Sequence, residues 1–290
     1  MRFLKNRKRM LAVSYAKINL FLEVLGKLPD NYHEVNTVLC SIDLFDEIKF
    51  VLTKSSDIIL WSNIDDLCGE NNLIYKIAKY LQHRFKVSAG AEIRLTKRIP
   101  VSAGLGGGSS NAAIAIIFLD KLWQLGLRQE EKEEIAAMFG SDINFFLHGG
   151  TALGQNRGER ITPQDDILLD NILLVNPGIA ISAGLAYGAL ELPAPGEAKL
   201  FDPADLMNTM YNRLEQTVCG LYPDVQALLE QLSSFGAKKS MLCGSGSTCM
   251  GIFENERDLA ICRSHFKEKG FYTLKTRTIS LREYQRCFPS

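Results

Sequence analysis

Residues 100–113 of this 290-residue chain read PVSAGLGGGSSNAA, with Gly104, Gly106, Gly107 and Gly108 set between an alternating apolar segment and a run of small residues. Glycine has no Cβ, so its backbone approaches a ligand closely and can turn successive N–H groups the same way; a helix that starts just after adds partial positive charge. Four glycines in five residues carry an entropy cost that a plain connection avoids. The pattern points to a loop that grips a phosphate chain, with a ligand-free tight turn as the plainer alternative. No lysine follows the glycines, which excludes GxxxxGK[ST], and Ser109 stands where GxGxxG needs its third glycine.

Upstream, residues 13–24 alternate, with Ile18, Leu20, Leu22 and Val24 on one face and Tyr15, Lys17, Asn19, Phe21 and Glu23 on the other, so a strand is expected. Asp30 and Asn31 supply a turn, and two further strands are read at 35–42 and 47–53. Helical spacing covers 72–85, and a strand over 91–99 runs into Pro100. After the loop, Ser109 and Ser110 are expected to cap a helix over 111–125, followed by a helix over 130–139 and a short one after Asp142. Gly149, Gly150, Gly154 and Gly158 read as a hinge to a second half. That half has strands at 172–175, 239–242 and 248–253, helices at 221–232 and 256–269, and an exposed loop over 190–203, which holds three of the nine prolines.

Composition narrows the function classes. Thirty-three basic residues balance thirty-three acidic ones, so no net field draws the chain to nucleic acid or an anionic membrane. The longest apolar runs fall short of the ~20 residues that span a bilayer. Residues 1–10 carry five basic side chains without the apolar stretch of a signal peptide, and read as a short solvated tail. Seven cysteines, including Cys287, are scattered without a CxxC pair, which fits reduced thiols in a cytoplasm.

The loop with its two serines and small residues resembles the GHMP kinase superfamily. Three further motifs, YAKINLFLEVLGKLPDNYHEVNTVL at 15–39, GSDINFFLHGGTALGQNRGE at 140–159 and LCGSGST at 242–248, are similar to the 4-diphosphocytidyl-2-C-methyl-D-erythritol kinase family. The resemblance extends over residues 13–253. It implies an α+β, two-domain GHMP kinase fold: an N-terminal mixed α/β domain (1–161), a C-terminal ferredoxin-like α+β domain (162–290), and an active site in the cleft between them. The implied reaction moves the γ-phosphoryl of ATP, with Mg2+, to the 2-hydroxyl of the methylerythritol of a cytidine-diphosphate conjugate.

Phosphoryl transfer asks a protein for positioning, charge and a residue to manage the hydroxyl proton. Asp142, ionised at a helix start, suits the last task and Lys17, fixed on a strand, suits the charge; the resemblance implies that these two are the catalytic pair. As plainer alternatives, Asp142 is a helix cap and Lys17 a solvated strand lysine. The resemblance places ATP on Pro100, Val101, Ser102, Ala103, Gly104, Leu105, Gly106, Gly107, Gly108, Ser109 and Ser110, with Ser110 also a candidate magnesium ligand. It places substrate on Asn19, Tyr32, His33 and Tyr187, the last three around the cytosine, and on the second glycine turn at Gly244, Ser245 and Gly246. Tyr32 and His33 otherwise read as hairpin surface, Tyr187 as core, and the second turn as a ligand-free hairpin.

Asn31, Asn144 and Ala183 depart from the family pattern, where glycine, proline and a hydroxyl residue are usual. Asn31 tolerates a left-handed backbone and so can replace glycine. Two rivals remain: another GHMP kinase, for homoserine, mevalonate or a sugar, and a ligand sensor that keeps the fold without catalysis. The sequence carries no signal of assembly state.

Overall fold

The computed structural model describes residues 9–194, 196–286 and 288. In chain order the elements are β1 (Arg9–Lys27), β2 (His33–Thr53), β3 (Ile58–Ser62), α1 (Leu73–Arg84), β4 (Gly90–Thr96), α2 (Gly107–Trp123), α3 (Gln129–Phe139), α4 (Ile143–His148), β5 (Thr151–Asn156) and β6 (Arg160–Pro163). The second half holds β7 (Ile172–Asn176), α5 (Ala183–Gly188), α6 (Leu206–Thr209), β8 (Tyr211–Asn212), α7 (Leu214–Leu221), α8 (Pro223–Ser234), β9 (Lys239–Leu242), β10 (Cys249–Ile252), α9 (Glu256–Glu268), β11 (Tyr272–Thr276) and α10 (Leu281–Gln285). The chain is α+β, as read from its motifs.

β1 and β2 run antiparallel over their whole lengths and form the spine of a first sheet ordered β3-β4-β2-β1-β8, with β5 on β2 and β6 on β5. Where the sequence reads as two strands, β2 is one: its C-terminal half, from Glu47, pairs with β4 and its N-terminal half, from Val35, pairs with β5. β1 starts at Arg9, so Arg9 and Met10 belong to the strand and not to a tail, while residues 1–8 lie outside the described residues. The second sheet is antiparallel, ordered β11-β7-β10-β9.

The amphipathic α1, with Ile74, Ile77, Ala78 and Leu81 inward, and the nearly all-apolar α2 cover the first sheet. Val225, Leu228, Leu259 and Phe266 of α8 and α9 cover the second. A third cluster joins the two sheets: Ile18, Leu20 and Cys40 pack with Leu174, Met241 and Met250. The two halves therefore share a core, and β8 and α10, from the second half, dock on the first.

The glycines after α4 are not a hinge. Gly149 and Gly150 adopt positive φ of 75° and 67° and turn the chain into β5, Gly154 lies within β5, and Gly158 turns β5 into β6. Tyr284 of α10 fills the corner, its hydroxyl donating to the Phe146 carbonyl at 2.6 Å. The absence of a side chain at Gly149 is what lets the ring in, since a Cβ there would lie 2.0 Å from Tyr284 Cδ1.

Gly149→Ala is expected to lower the unfolding free energy by about 1–3 kcal/mol or more, from left-handed strain added to the clash. Gly220→Ala, in α7 with open space at its Cα, is expected to be neutral or stabilising by up to about 1 kcal/mol. Urea midpoints at unchanged slope measure both, and equal midpoints for Gly149→Ala and wild type would contradict this packing.

Candidate active site

Lys17 sits on the central strand β1 with both faces covered, so it is 4% exposed and not a solvated strand lysine. A buried ammonium needs acceptors. Its Nζ donates to Asn19 Oδ1 at 2.7 Å; Asn19 Nδ2 donates to Thr37 Oγ1 at 2.8 Å, and Thr37 Oγ1 donates to the Phe21 carbonyl at 2.6 Å. This relay fixes the direction of the ammonium. Asp142 Oδ2 lies 3.6 Å from it.

Asp142 is the residue before α4, but its carboxylate caps nothing: its own backbone is already helical (φ −70°, ψ −12°), which turns the side chain away from the helix N–H groups. The carboxylate is half exposed and faces the Lys17 side of the site. Asn144, the second residue of α4, donates from Nδ2 to the Glu159 carbonyl at 3.0 Å and so ties α4 to the β5–β6 turn.

The glycine loop wraps this pair. Lys17 N donates to the Leu105 carbonyl at 3.0 Å, which joins strand and loop directly. Gly104 and Gly106 take φ of 77° and 68°. A Cβ at Gly106 would lie 2.7 Å from Phe146 Cζ and 3.0 Å from Lys17 Cγ, and one at Gly104 would lie 1.9 Å from the Cys243 carbonyl oxygen. α2 begins at Gly107, not at residue 111, because the left-handed Gly106 ends the loop there. Ser109 and Ser110 are thus first-turn residues and not caps. Gly108, with open space at its Cα, presents the start of a 17-residue helix toward solvent. Main-chain N–H groups at a helix start are the donor set that a phosphate chain requires.

Ser110 does not fit a magnesium ligand: its side chain is fully buried, with Oγ 2.7 Å from Ser14 Oγ. No step is assigned to a metal on that residue.

The second glycine turn closes the other side. Gly244, at φ 55°, is close-packed: a Cβ would lie 2.9 Å from the Gly104 carbonyl oxygen, 3.1 Å from Lys17 Nζ and 3.4 Å from Asn19 Oδ1. Two residues that the sequence reading missed hold it. Asn212 donates from Nδ2 to the Leu242 and Gly244 carbonyls at 2.9 and 2.8 Å, and Glu215 accepts from Leu242 N at 2.7 Å. Burial pushes the Glu215 carboxyl up, and burial pushes the Cys243 thiol up to about 12, so Cys243 is inert at neutral pH.

The aromatic residues form a neighbouring group. His33 and Tyr187 stack with centroids 5.3 Å apart. Tyr32 is 55% exposed, with the Arg157 guanidinium 4.9 Å from its ring centroid and Asp30 held to Arg157 at 3.2 Å. Burial, then the charge of Lys27, lowers the His33 pKa; burial, then the charge of Asp142, raises that of Tyr187. Asn31 takes φ 68°, the left-handed conformation its amide tolerates. At Ala183 the helix start is capped instead by the adjacent Ser182, which accepts from Leu185 N.

A loop of main-chain donors facing a buried ammonium and an uncommitted carboxylate, on this two-sheet scaffold, defines a small-molecule kinase of the GHMP class. Residues 72–150 match the GHMP kinases N terminal domain and residues 198–271 the GHMP kinases C terminal family. A 4-diphosphocytidyl-2-C-methyl-D-erythritol kinase of Geobacillus kaustophilus (strain HTA426) is 41% identical over 254 residues, 83% of this chain and 87% of the relative. One of Citrifermentans bemidjiense is 35% identical over 281 residues, covering 94% of this chain and all of the relative. The crystal structure of a 4-(cytidine 5'-diphospho)-2C-methyl-D-erythritol kinase superposes with a TM-score of 0.77 at 27% identity, over 93% of this chain and 100% of that one. The chain belongs to the 4-diphosphocytidyl-2-C-methyl-D-erythritol kinase family. A homoserine kinase of Cytophaga hutchinsonii, at 13% identity and TM-score 0.69, shares the fold.

Gly104→Ala is expected to force the two glycine turns apart and weaken binding of a fluorescent ATP analogue at least about tenfold, the effect of losing 1.4 kcal/mol or more. Wild-type affinity in that variant would contradict the close approach described here.

Proposed function

We propose that this chain transfers the γ-phosphoryl of ATP to the 2-hydroxyl of 4-diphosphocytidyl-2-C-methyl-D-erythritol. The observation that carries the reading is the Lys17–Asp142 contact at 3.6 Å, held beside the glycine loop by the Asn19–Thr37 relay. The main-chain N–H groups of residues 104–109 hold the ATP phosphates, while Ser110 N–H is used within α2, on the Gly106 carbonyl. Asp142 accepts the proton of the attacking hydroxyl, and Lys17 stabilises the oxygen charge that develops as the proton leaves. Magnesium bound to ATP would supply charge shielding for its phosphates, and no side chain of this chain is assigned to hold it.

The Tyr32, His33 and Tyr187 group takes the cytosine: flat faces stack on the base, and the neutral His33 ring pairs with its edge. The turn at Gly244, Ser245 and Gly246 contacts the substrate diphosphate. This aromatic group favours a nucleotide-bearing alcohol over homoserine, mevalonate or a free sugar. An uncapped carboxylate beside an ammonium favours a catalyst over a sensor. We place the division between the halves at 161/162 and the protein in the cytoplasm, a compartment in keeping with the free state of the six described cysteines; Cys287 lies outside the described residues. Among the described residues no helix is long and apolar enough to cross a membrane.

Asp142→Asn is expected to fold normally and lose on the order of 10²–10⁴ in kcat, with KM for ATP little changed. A coupled ADP assay with the cytidine-diphosphate alcohol measures it, and near-wild-type turnover removes Asp142 from the mechanism. The same assay with homoserine, mevalonate and sugars separates the rivals: turnover only with an uncharged or nucleotide-free alcohol overturns the substrate assigned here.

Burial and the Lys27 charge lower the His33 pKa and so favour the neutral ring. KM for the cytidine substrate is therefore expected to stay flat across neutral and alkaline pH and to rise only on acidification below the ordinary imidazole range. A KM that rises between pH 7 and 9 in wild type but not in His33→Phe would contradict this.

A further inference from the structure

Asp46 is fully buried in the middle of β2, at the point where the sequence suggests a break between strands. Both of its oxygens are saturated. Oδ1 accepts from Arg98 N at 2.7 Å and Ile99 N at 2.9 Å; Oδ2 accepts from Lys97 Nζ at 2.5 Å and Asn111 Nδ2 at 2.8 Å. Arg98 and Ile99 lead into the glycine loop, and Asn111 follows it on α2, so one carboxylate holds both ends of residues 100–110. Asn111 Nδ2 also lies 2.9 Å from Ser14 Oγ, which meets Ser110 Oγ, so the exit is fastened to β1 as well. The Lys97 ammonium lies beneath the first turn of α2, 2.6 Å from where a Gly107 Cβ would be.

A cation under a helix N-terminus is unfavourable unless an anion offsets it. Asp46 does so, which leaves the first turn of α2 free to attract an anion from the solvent side. The glycines have no rotamers or Cβ contacts to hold the loop in one shape, so its form depends on where its ends are fixed. We propose that Asp46 is a positioning residue for nucleotide binding: through Lys97, Arg98, Ile99 and Asn111 it holds the glycine loop in the shape that grips the phosphates. The inference rests on reading that loop as the ATP site.

The test uses the full-length chain with Asp46→Asn and Asn111→Ala, titrated with mant-ATP, together with KM for ATP and for the cytidine-diphosphate alcohol. Each variant is expected to bind mant-ATP at least about tenfold more weakly, as loss of a buried charged hydrogen bond implies, while KM for the alcohol stays within about twofold. A purely structural role would lower the melting temperature and the active fraction without changing the affinity of the active protein. If Asp46→Asn fails to fold, Asn111→Ala, which alters no charge, decides. Wild-type mant-ATP affinity in a folded Asn111→Ala variant overturns the proposal. Failure of the wild-type chain to bind mant-ATP overturns the loop reading, and with it the proposal.

Discussion

The site depends on one close approach: two backbone turns pass Lys17 at contact distance, and only residues without a Cβ allow it. Gly106 lies against the Lys17 side chain, Gly244 against its ammonium, and Gly104 against the Cys243 carbonyl. A methyl group at any of these would separate β1, the first loop or the second turn. The shared core between the two sheets sets this distance from below, since Ile18 and Leu20 of the strand that carries Lys17 pack with Met241 and Met250 of β9 and β10.

Charge follows from that geometry. Lys17 is buried, with the Asn19 amide oxygen on one side of its ammonium and a half-exposed carboxylate on the other. Asp142 makes no side-chain bond to its helix, and the proposed mechanism uses that free acceptor capacity for the incoming hydroxyl. The closer and more buried ion pair, Lys97 with Asp46, lies at the two ends of the glycine loop. In the proposed reading, one pair shapes the loop and the other faces the reacting hydroxyl.

Much of this was legible in the sequence because glycine, lysine and aspartate at those spacings have few other uses. The loop, the Lys17–Asn19 pair on one strand face and the Asp142 helix start all read correctly as local patterns. What was not legible is long-range. Asp46 falls between the strands read at 35–42 and 47–53, yet it is satisfied by Lys97, Arg98, Ile99 and Asn111, more than fifty positions further along the chain. Asn212 and Glu215 carry no local mark, since their partners are carbonyls and an N–H of β9 and its turn. The glycines from 149 to 158 have hinge composition, but Tyr284, far along the chain, turns them into a packed corner. Ser109 and Ser110 resemble caps, and a left-handed Gly106 starts the helix ahead of them.

The most direct measurement is a crystal structure of the chain with a non-hydrolysable ATP analogue and 4-diphosphocytidyl-2-C-methyl-D-erythritol. The account predicts the acceptor hydroxyl within about 3 Å of the Asp142 carboxylate, with the Lys17 ammonium beside it and the nucleotide phosphates on the main-chain N–H groups of the glycine loop. A hydroxyl bound out of reach of both side chains, or phosphates held away from that loop, would contradict it.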